Sequence, residues 1–230
     1  MIGKLKDLAR AAYRRIPLAR SIYRPLRRRV ARAMLPRRVA RFAARGQALR
    51  IVIGANRKHP SGWVPTEVYA LDLLEEADWQ RCFRPATIDA LLAEHVWEHL
   101  TREQGTRAGW ICHRYLKPGG RLRVAVPDGL FPHRDYLEFV RPGGSGPSAW
   151  DHKELYTYRT LPPVFSAAGF RVELLEYYDE NGRFHYHSWN VEDGLIQRSS
   201  RCSQGRRFGG LEYRSLILDA IKDSPRQPLT

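Results

Sequence analysis

Hydrophobic positions keep a helical spacing through the first fifth of the chain and then give way to short strand-like runs. Leu5, Leu8, Ala12 and Ile16 form one stripe; Leu18, Ile22 and Leu26 form a second, and Val30, Met34, Val39, Phe42 and Ala43 continue it. Residues three and four apart share a helix face, while Pro17, Pro25 and Pro36 each remove a backbone donor, so the pattern predicts two or three short amphipathic helices. From Leu49, "LRIVIGA" reads as a buried strand ending in a tight turn at Gly54. "TEVYALDL" (66–73) reads as a second strand, "LLEEADWQRCF" as a helix or turn closed by Pro85, and "TIDALLA" (87–93) as a third strand. A helix is predicted from Thr101, a capping residue, to Leu116; "KPGG" breaks it, and "RLRVAVPD" (121–128) is a fourth strand. After the connection "RPGGSGP" (141–147) comes a helix over 158–168 with Gly169 behind it. "FRVELLEYYD" and "FHYHSWN" then flank Glu180-Asn181-Gly182, a hairpin signal. Strands separated by helices and closed by a hairpin describe an α/β, Rossmann-like open sheet, mostly parallel, with an antiparallel edge hairpin.

Charge divides the chain. Residues 1–50 carry 16 Lys and Arg against the single acid Asp7, the whole of the net +15; the remaining 180 residues hold 23 of each sign. The expected organisation is a basic amphipathic helical arm over 1–46, one domain over 47–222 and a short flexible tail over 223–230. A basic helix of this kind can lie on an anionic membrane surface, where each Lys or Arg contributes on the order of 1 kcal/mol. The same charge could track the phosphates of a nucleic acid, which ranks behind the membrane, or form a solvated or partner-docking arm. Cys82, Cys112 and Cys202 are too scattered for a clamp or a disulfide set, which points to a reducing cytoplasm. No apolar run is long enough to span a bilayer, so the expected location is cytoplasmic, with the arm at the inner face of the membrane.

Candidate chemistry centres on "AEHVWEHL" (93–100), in which His95-Val96-Trp97-Glu98-His99 has the H-x-x-E-H spacing of a zinc peptidase. Such a site needs both imidazoles on one helix face, whereas this stretch follows a strand and sets His95 at its carboxyl end. Nothing in the spacing singles out a third ligand from His152, His185 and His187, and no metal is expected.

"IDALLAEHVWEHL" followed by "RYLKPGGRLRVAVPD" resembles the fourth strand, following helix and fifth strand of class I methyltransferases that use S-adenosylmethionine. "GWVPTE" before it and "LPPVFSAAGFRVELLEYY" after it continue the likeness, which covers about residues 49–190. The resemblance implies a reduced class I methyltransferase fold with a nucleoside pocket at the carboxyl ends of the central strands, where strand order reverses. Carried over by position, Gly54, Ala55 and Asn56 would form the turn against the cofactor, and Glu67 would hold the ribose hydroxyls. Asp72 and Leu73 would flank the adenine, and Glu94, His95 and Trp97 would line the other wall. A carboxylate suits a ribose because it accepts two hydrogen bonds from a cis-diol.

Methyl transfer from a sulfonium is an in-line displacement in which a base is needed only if the acceptor loses a proton. His95 is the first candidate base, Asp128 at the end of "VAVPD" could orient an acceptor hydroxyl, and His152, with Asp151, could close over it after the glycine-rich connection. The acceptor implied is an oxygen or nitrogen nucleophile on a small molecule or glycan, since families resembling this one occur with cell-envelope sugar synthesis and lipid-linked sugars. The family's glycine-rich turn is reduced here to "IGANRKHPSG", with about ten residues between the first two strands. That leaves open a non-catalytic binding or scaffold module on the same fold.

Overall fold

The computed structural model describes residues 17–55, 59–202, 206–208, 211–212 and 214–224. In chain order the helices and strands are α1 (Pro17–Ala44), β1 (Arg50–Ile53), β2 (Val64–Pro65), α2 (Glu76–Cys82), β3 (Ile88–Glu94), α3 (Arg102–Tyr115), β4 (Leu116–Pro127), α4 (Arg134–Val140), α5 (Pro162–Ser166), β5 (Arg171–Tyr178), β6 (Phe184–Tyr186), β7 (Arg206–Phe208), β8 (Leu211–Glu212) and β9 (Ser215–Ile221). Seven strands form one sheet in the order β2-β1-β3-β4-β9-β5-β6, and β7 and β8 pair separately. β2, β1, β3 and β4 are mutually parallel; β9 is antiparallel to both β4 and β5, and β6 is antiparallel to β5. The chain is thus α/β with a mostly parallel sheet, as its patterning predicts.

The two-residue period of each strand sorts side chains between two cores. Ile51, Ile53, Leu91, Ala93, Leu122, Val124, Leu216 and Leu218 face the larger core, where Trp79 of α2, Ile111 and Tyr115 of α3 and Phe165 of α5 cover them. Val52, Ala90, Leu92, Ala125, Leu175 and Ile217 face the other side, roofed by Trp63, Trp189 and Ile196 from irregular segments. Helices therefore cover one face of the sheet and loops the other.

Four expectations are corrected. Leu35 and Val39 are buried in the main core, Arg32 reaches Asp78 at 2.6 Å, and Arg81 donates to the Arg32 carbonyl. α1 runs unbroken through Pro25 and Pro36 instead of splitting into short helices, and these contacts hold the half that contains Pro36. An interior proline costs about 3 kcal/mol, and burying a Leu or Val side chain contributes about 1.5–3 kcal/mol, which offsets the loss over the helix's second half. The stretch 66–73 is a turn, because Thr66 ends the pairing with β1 and the Ala70 and Leu71 amides both donate to the Glu67 carbonyl. The helix expected over 158–168 shortens to α5, its approach occupied by a turn in which the Leu161 amide donates to the Thr157 carbonyl. The reversed edge hairpin β5–β6 is present, but a second reversed strand, β9, which the patterning did not single out, slots between β4 and β5. Its seven residues are all buried.

Candidate functional site

After β1 the chain turns to β2 on one side, while β3 lies on the other, so the carboxyl ends of β1 and β3 diverge at a topological switch point. Ligands bind at such points in open α/β sheets because the loops leave in opposite directions and open a crevice. A cleft of about 560 Å³ lies here. Its floor is Ile53, Gly54 and Ala55 from the end of β1 and the turn after it, and Leu92, Glu94 and His95 from the end of β3 and the residue that follows it. Glu98 and His99 from the 3-10 turn Trp97–His99, Phe139 and Val140 from α4, the following loop through His152, and Leu195, Gln197 and Arg198 complete its walls.

Gly54 turns the chain away from β1 at φ +64°, and a Cβ there would stand 2.9 Å from Val96 Cγ2. Both the left-handed backbone and the close approach favour glycine. On the neighbouring strand, His95 leaves β3 at φ +57°, uncommon for a residue with a side chain. Three contacts hold it there: its amide donates to the Ala125 carbonyl, Nδ1 lies 2.9 Å from Glu98 Oε1, and Nε2 lies 3.0 Å from Ser215 Oγ. The series Ser215–His95–Glu98 has the pairing of a hydrolytic triad, but Ser215 is 1% exposed and stands at the start of β9, outside the cleft lining. The contacts therefore fix the ring's orientation.

Glu98 is almost completely buried. Burial raises its carboxyl, but the charge and hydrogen bond of His95 outweigh that and hold it below the ordinary value. No hydrogen bond reaches its Oε2 among the described residues. Beside it, His99 Nδ1 lies 3.1 Å from Asp151 Oδ2, His152 Nδ1 lies 2.6 Å from the Val140 carbonyl oxygen, and the two rings meet edge to face at 4.9 Å. The Glu98 carbonyl accepts the Lys153 amide, tying the turn to the chain that carries His152.

The structure brings Gly54, Ala55, Glu94, His95 and His152 to one cleft. Glu94 lines it, although its two oxygens already accept the Gln197 and Arg198 amides at 2.9 Å each. Glu67 directly follows Thr66, whose carbonyl accepts the Ala55 amide, so it flanks the floor without being among the lining residues. Asn56 lies outside the described residues.

Three assignments are corrected. Trp97 does not line the wall: it is fully buried against Phe165, and its indole donates to the Gly105 carbonyl. A large apolar ring one residue past a strand-end turn falls under α3, where the hydrophobic core claims it. Asp72 accepts the Leu74 amide while Leu73 is 6% exposed in the main core, so this pair belongs to the α2 entry turn and not to the cleft. Asp128 is fully buried, its two oxygens accepting the Leu130 and Tyr178 amides at 2.9 and 2.8 Å. It ties the end of β4 to β5 and is not among the residues that line the cleft.

What the pattern did not reveal is the segment 195–198, which lacks a periodic or motif signal yet closes one wall, and the meeting of His99 with His152 across 53 positions. The H-x-x-E-H spacing was the available signal, but it pointed to His95 as the partner of His99.

No protein-family model matches the chain, and no curated protein matches it. Solved structures to which it is similar include a SAM-dependent methyltransferase from Archaeoglobus fulgidus (17% identity, TM-score 0.42, 85% of this chain and 94% of that one). A SAM-dependent methyltransferase from Thermotoga maritima (14%, TM-score 0.43, 89% and 97%) and the CurJ carbon methyltransferase (14%, TM-score 0.45, 77% and 49%) are further examples. These overlaps are loose, and the function proposed for the chain is carried by its own topology and cleft.

Proposed function

We propose that the cleft binds S-adenosylmethionine and that the chain transfers its methyl group to an oxygen or nitrogen nucleophile. The observation that carries this reading is a cleft of about 560 Å³ opening at the switch point between β1 and β3, with Gly54 at φ +64° on its floor. The motif likeness of "HVWEHL" and "LKPGG" supports the same cofactor. The residues fit the group in size and type: Gly54 and Ala55 give the backbone close approach, and the Glu67 carboxylate, beside the floor, suits a ribose diol. When bound, the sulfonium supplies an activated methyl group for in-line displacement. The chain's part is then alignment, the exclusion of water, and, for an acceptor that must lose a proton, a base. His95 is the residue for that step: it lines the cleft, and the Glu98 carboxylate on Nδ1 makes Nε2 the basic nitrogen, presently facing the Ser215 hydroxyl.

A cell-envelope glycan or lipid-linked sugar is the acceptor class we favour, with α1 holding the protein against an anionic membrane. The second reading, a binding or scaffold module without catalysis, draws on the β1–β2 connection, in which the described residues of 54–63 form no helix. Calorimetric titration with S-adenosylmethionine and S-adenosylhomocysteine separates the two. Binding is expected, and Glu67→Ala should weaken it at least about tenfold, about 1.4 kcal/mol. Unchanged affinity in that variant removes the ribose assignment; no heat with either ligand up to millimolar concentration removes the enzyme.

A further inference from the structure

We propose that Glu98, His99 and His152 form a binding site for one divalent transition-metal ion, of the zinc or cobalt type, in the wall of the cleft. One donor atom from each residue falls within 4.8 Å of the others. All three residues line the cleft, so an ion among them would keep an open coordination position toward the cavity.

The hydrogen bonds behind the rings carry the inference further than proximity alone. A backbone carbonyl only accepts, so His152 Nδ1, 2.6 Å from the Val140 oxygen, carries the proton and leaves Nε2 as the nitrogen with a lone pair. The Asp151 carboxylate imposes the same tautomer on His99 through Nδ1 at 3.1 Å. Metal-bound histidines are oriented in this way, the second ring nitrogen donating to a carboxylate or a carbonyl. The third member is Glu98, 1% exposed, with Oε1 facing His95 and Oε2 without a hydrogen bond among the described residues. A buried carboxylate oxygen left in this state is costly, and a cation would relieve it. Two imidazoles and one carboxylate suit zinc, cobalt or iron(II) better than magnesium or calcium, which prefer all-oxygen sites.

The site needs no S-adenosylmethionine, so its test reads independently of the cofactor titration. Untagged full-length protein, stripped with a chelator and dialysed, is titrated with Zn²⁺ in competition with a chromophoric indicator, and with Co²⁺ while its visible absorption is followed. One equivalent is expected to bind, and Co²⁺ should give the intense visible bands of a low-coordinate site. His99→Ala, His152→Ala and Glu98→Gln should each weaken binding at least about 100-fold, and Asp151→Asn about 10-fold. His185→Ala and His187→Ala should change nothing. Thermal unfolding of each metal-free variant identifies any that do not fold; the half-exposed Asp151 is the position where substitution leaves packing intact, and its variant decides the matter in that event. Absence of a stoichiometric site, or binding that survives the His99, His152 and Asp151 substitutions, would overturn the proposal.

Discussion

Arg123 has no exposed surface, yet it carries a full charge inside the sheet's loop-covered face. It survives there because its N–H donors are bonded and its face is covered: two 2.8 Å hydrogen bonds to Asp219 across the β4–β9 ladder, two more to the Asn190 and Gly194 carbonyls, and the Trp189 ring 4.7 Å above it. A planar fork of donors makes this possible for arginine and not for lysine. Asp128 solves the opposite problem with amides alone. Burial lifts its carboxyl to about 6, against the lowering effect of the Leu130 and Tyr178 amides. Since the folded state binds that proton more tightly than the unfolded chain, the group's contribution to stability is complete below about pH 4 and is lost as pH rises through about 6. The rise of about two units corresponds to about 3 kcal/mol. Urea unfolding of the wild type and Asp128→Asn, which cannot titrate, should give a stability difference that moves against the wild type by roughly this amount between pH 4 and 7. A difference that stays flat across that range would show that Asp128 keeps an ordinary pKa.

Among the elements, α3 shows how local sequence fixes a boundary. Thr101 accepts the Gln104 amide at 3.3 Å, and the Gln104 side chain accepts the Thr101 amide at 3.0 Å, so two otherwise unpaired donors are satisfied reciprocally. Because α3 covers the main core and its entry follows the turn bearing Glu98 and His99, a frayed start would loosen the cleft wall as well. Thr101→Ala is expected to lower the unfolding free energy by about 1 kcal/mol, within about 0.5–2 kcal/mol, measured by denaturant titration. A loss indistinguishable from zero would mean that packing alone sets the helix start. The β3-to-α3 connection is the more constrained element, since it combines His95 at φ +57° with a 3-10 turn over the next residues. Strain of this kind persists only where surrounding contacts fix it, and it collects at functional sites.

For the whole molecule the governing fact is the placement of charge. The entire net +15 resides in the first 50 residues, and α1 exposes Arg28, Arg29, Arg37, Arg38 and Arg41 together with Val30 and Met34. Exposed arginine beside exposed apolar side chains is the composition of a helix that lies in a lipid interface. Among the described residues no helix is long and apolar enough to cross a membrane. The full chain should therefore co-sediment with anionic phosphatidylglycerol vesicles, release as salt rises from about 0.05 M to about 0.5 M, and ignore neutral phosphatidylcholine vesicles. Equal retention on both lipids would remove the electrostatic role of α1. The helix is also a structural part of the molecule, since Leu35 and Val39 sit in the main core; removing it would expose the apolar surface they cover.

Sequence by itself determined what depends on near neighbours. The runs at 50–53, 88–94 and 171–178, the capping residue at Thr101, the Asn-Gly hairpin and the glycine turn after β1 were all legible, because strand period, capping and turn chemistry act within a few residues. Gly54 and His95 each directly follow a recognisable strand, and both line the cleft. Tertiary structure decided the rest. The insertion of β9 between β4 and β5, the passage of α1 through Pro36 and the burial of Trp97 all follow from contacts between segments far apart in sequence, where the gain from burying apolar surface outweighs local preference. The convergence of Glu98 and His99 with His152 belongs to the same class: spacing records which side chains share a face of one element, and only the folded chain records which faces meet.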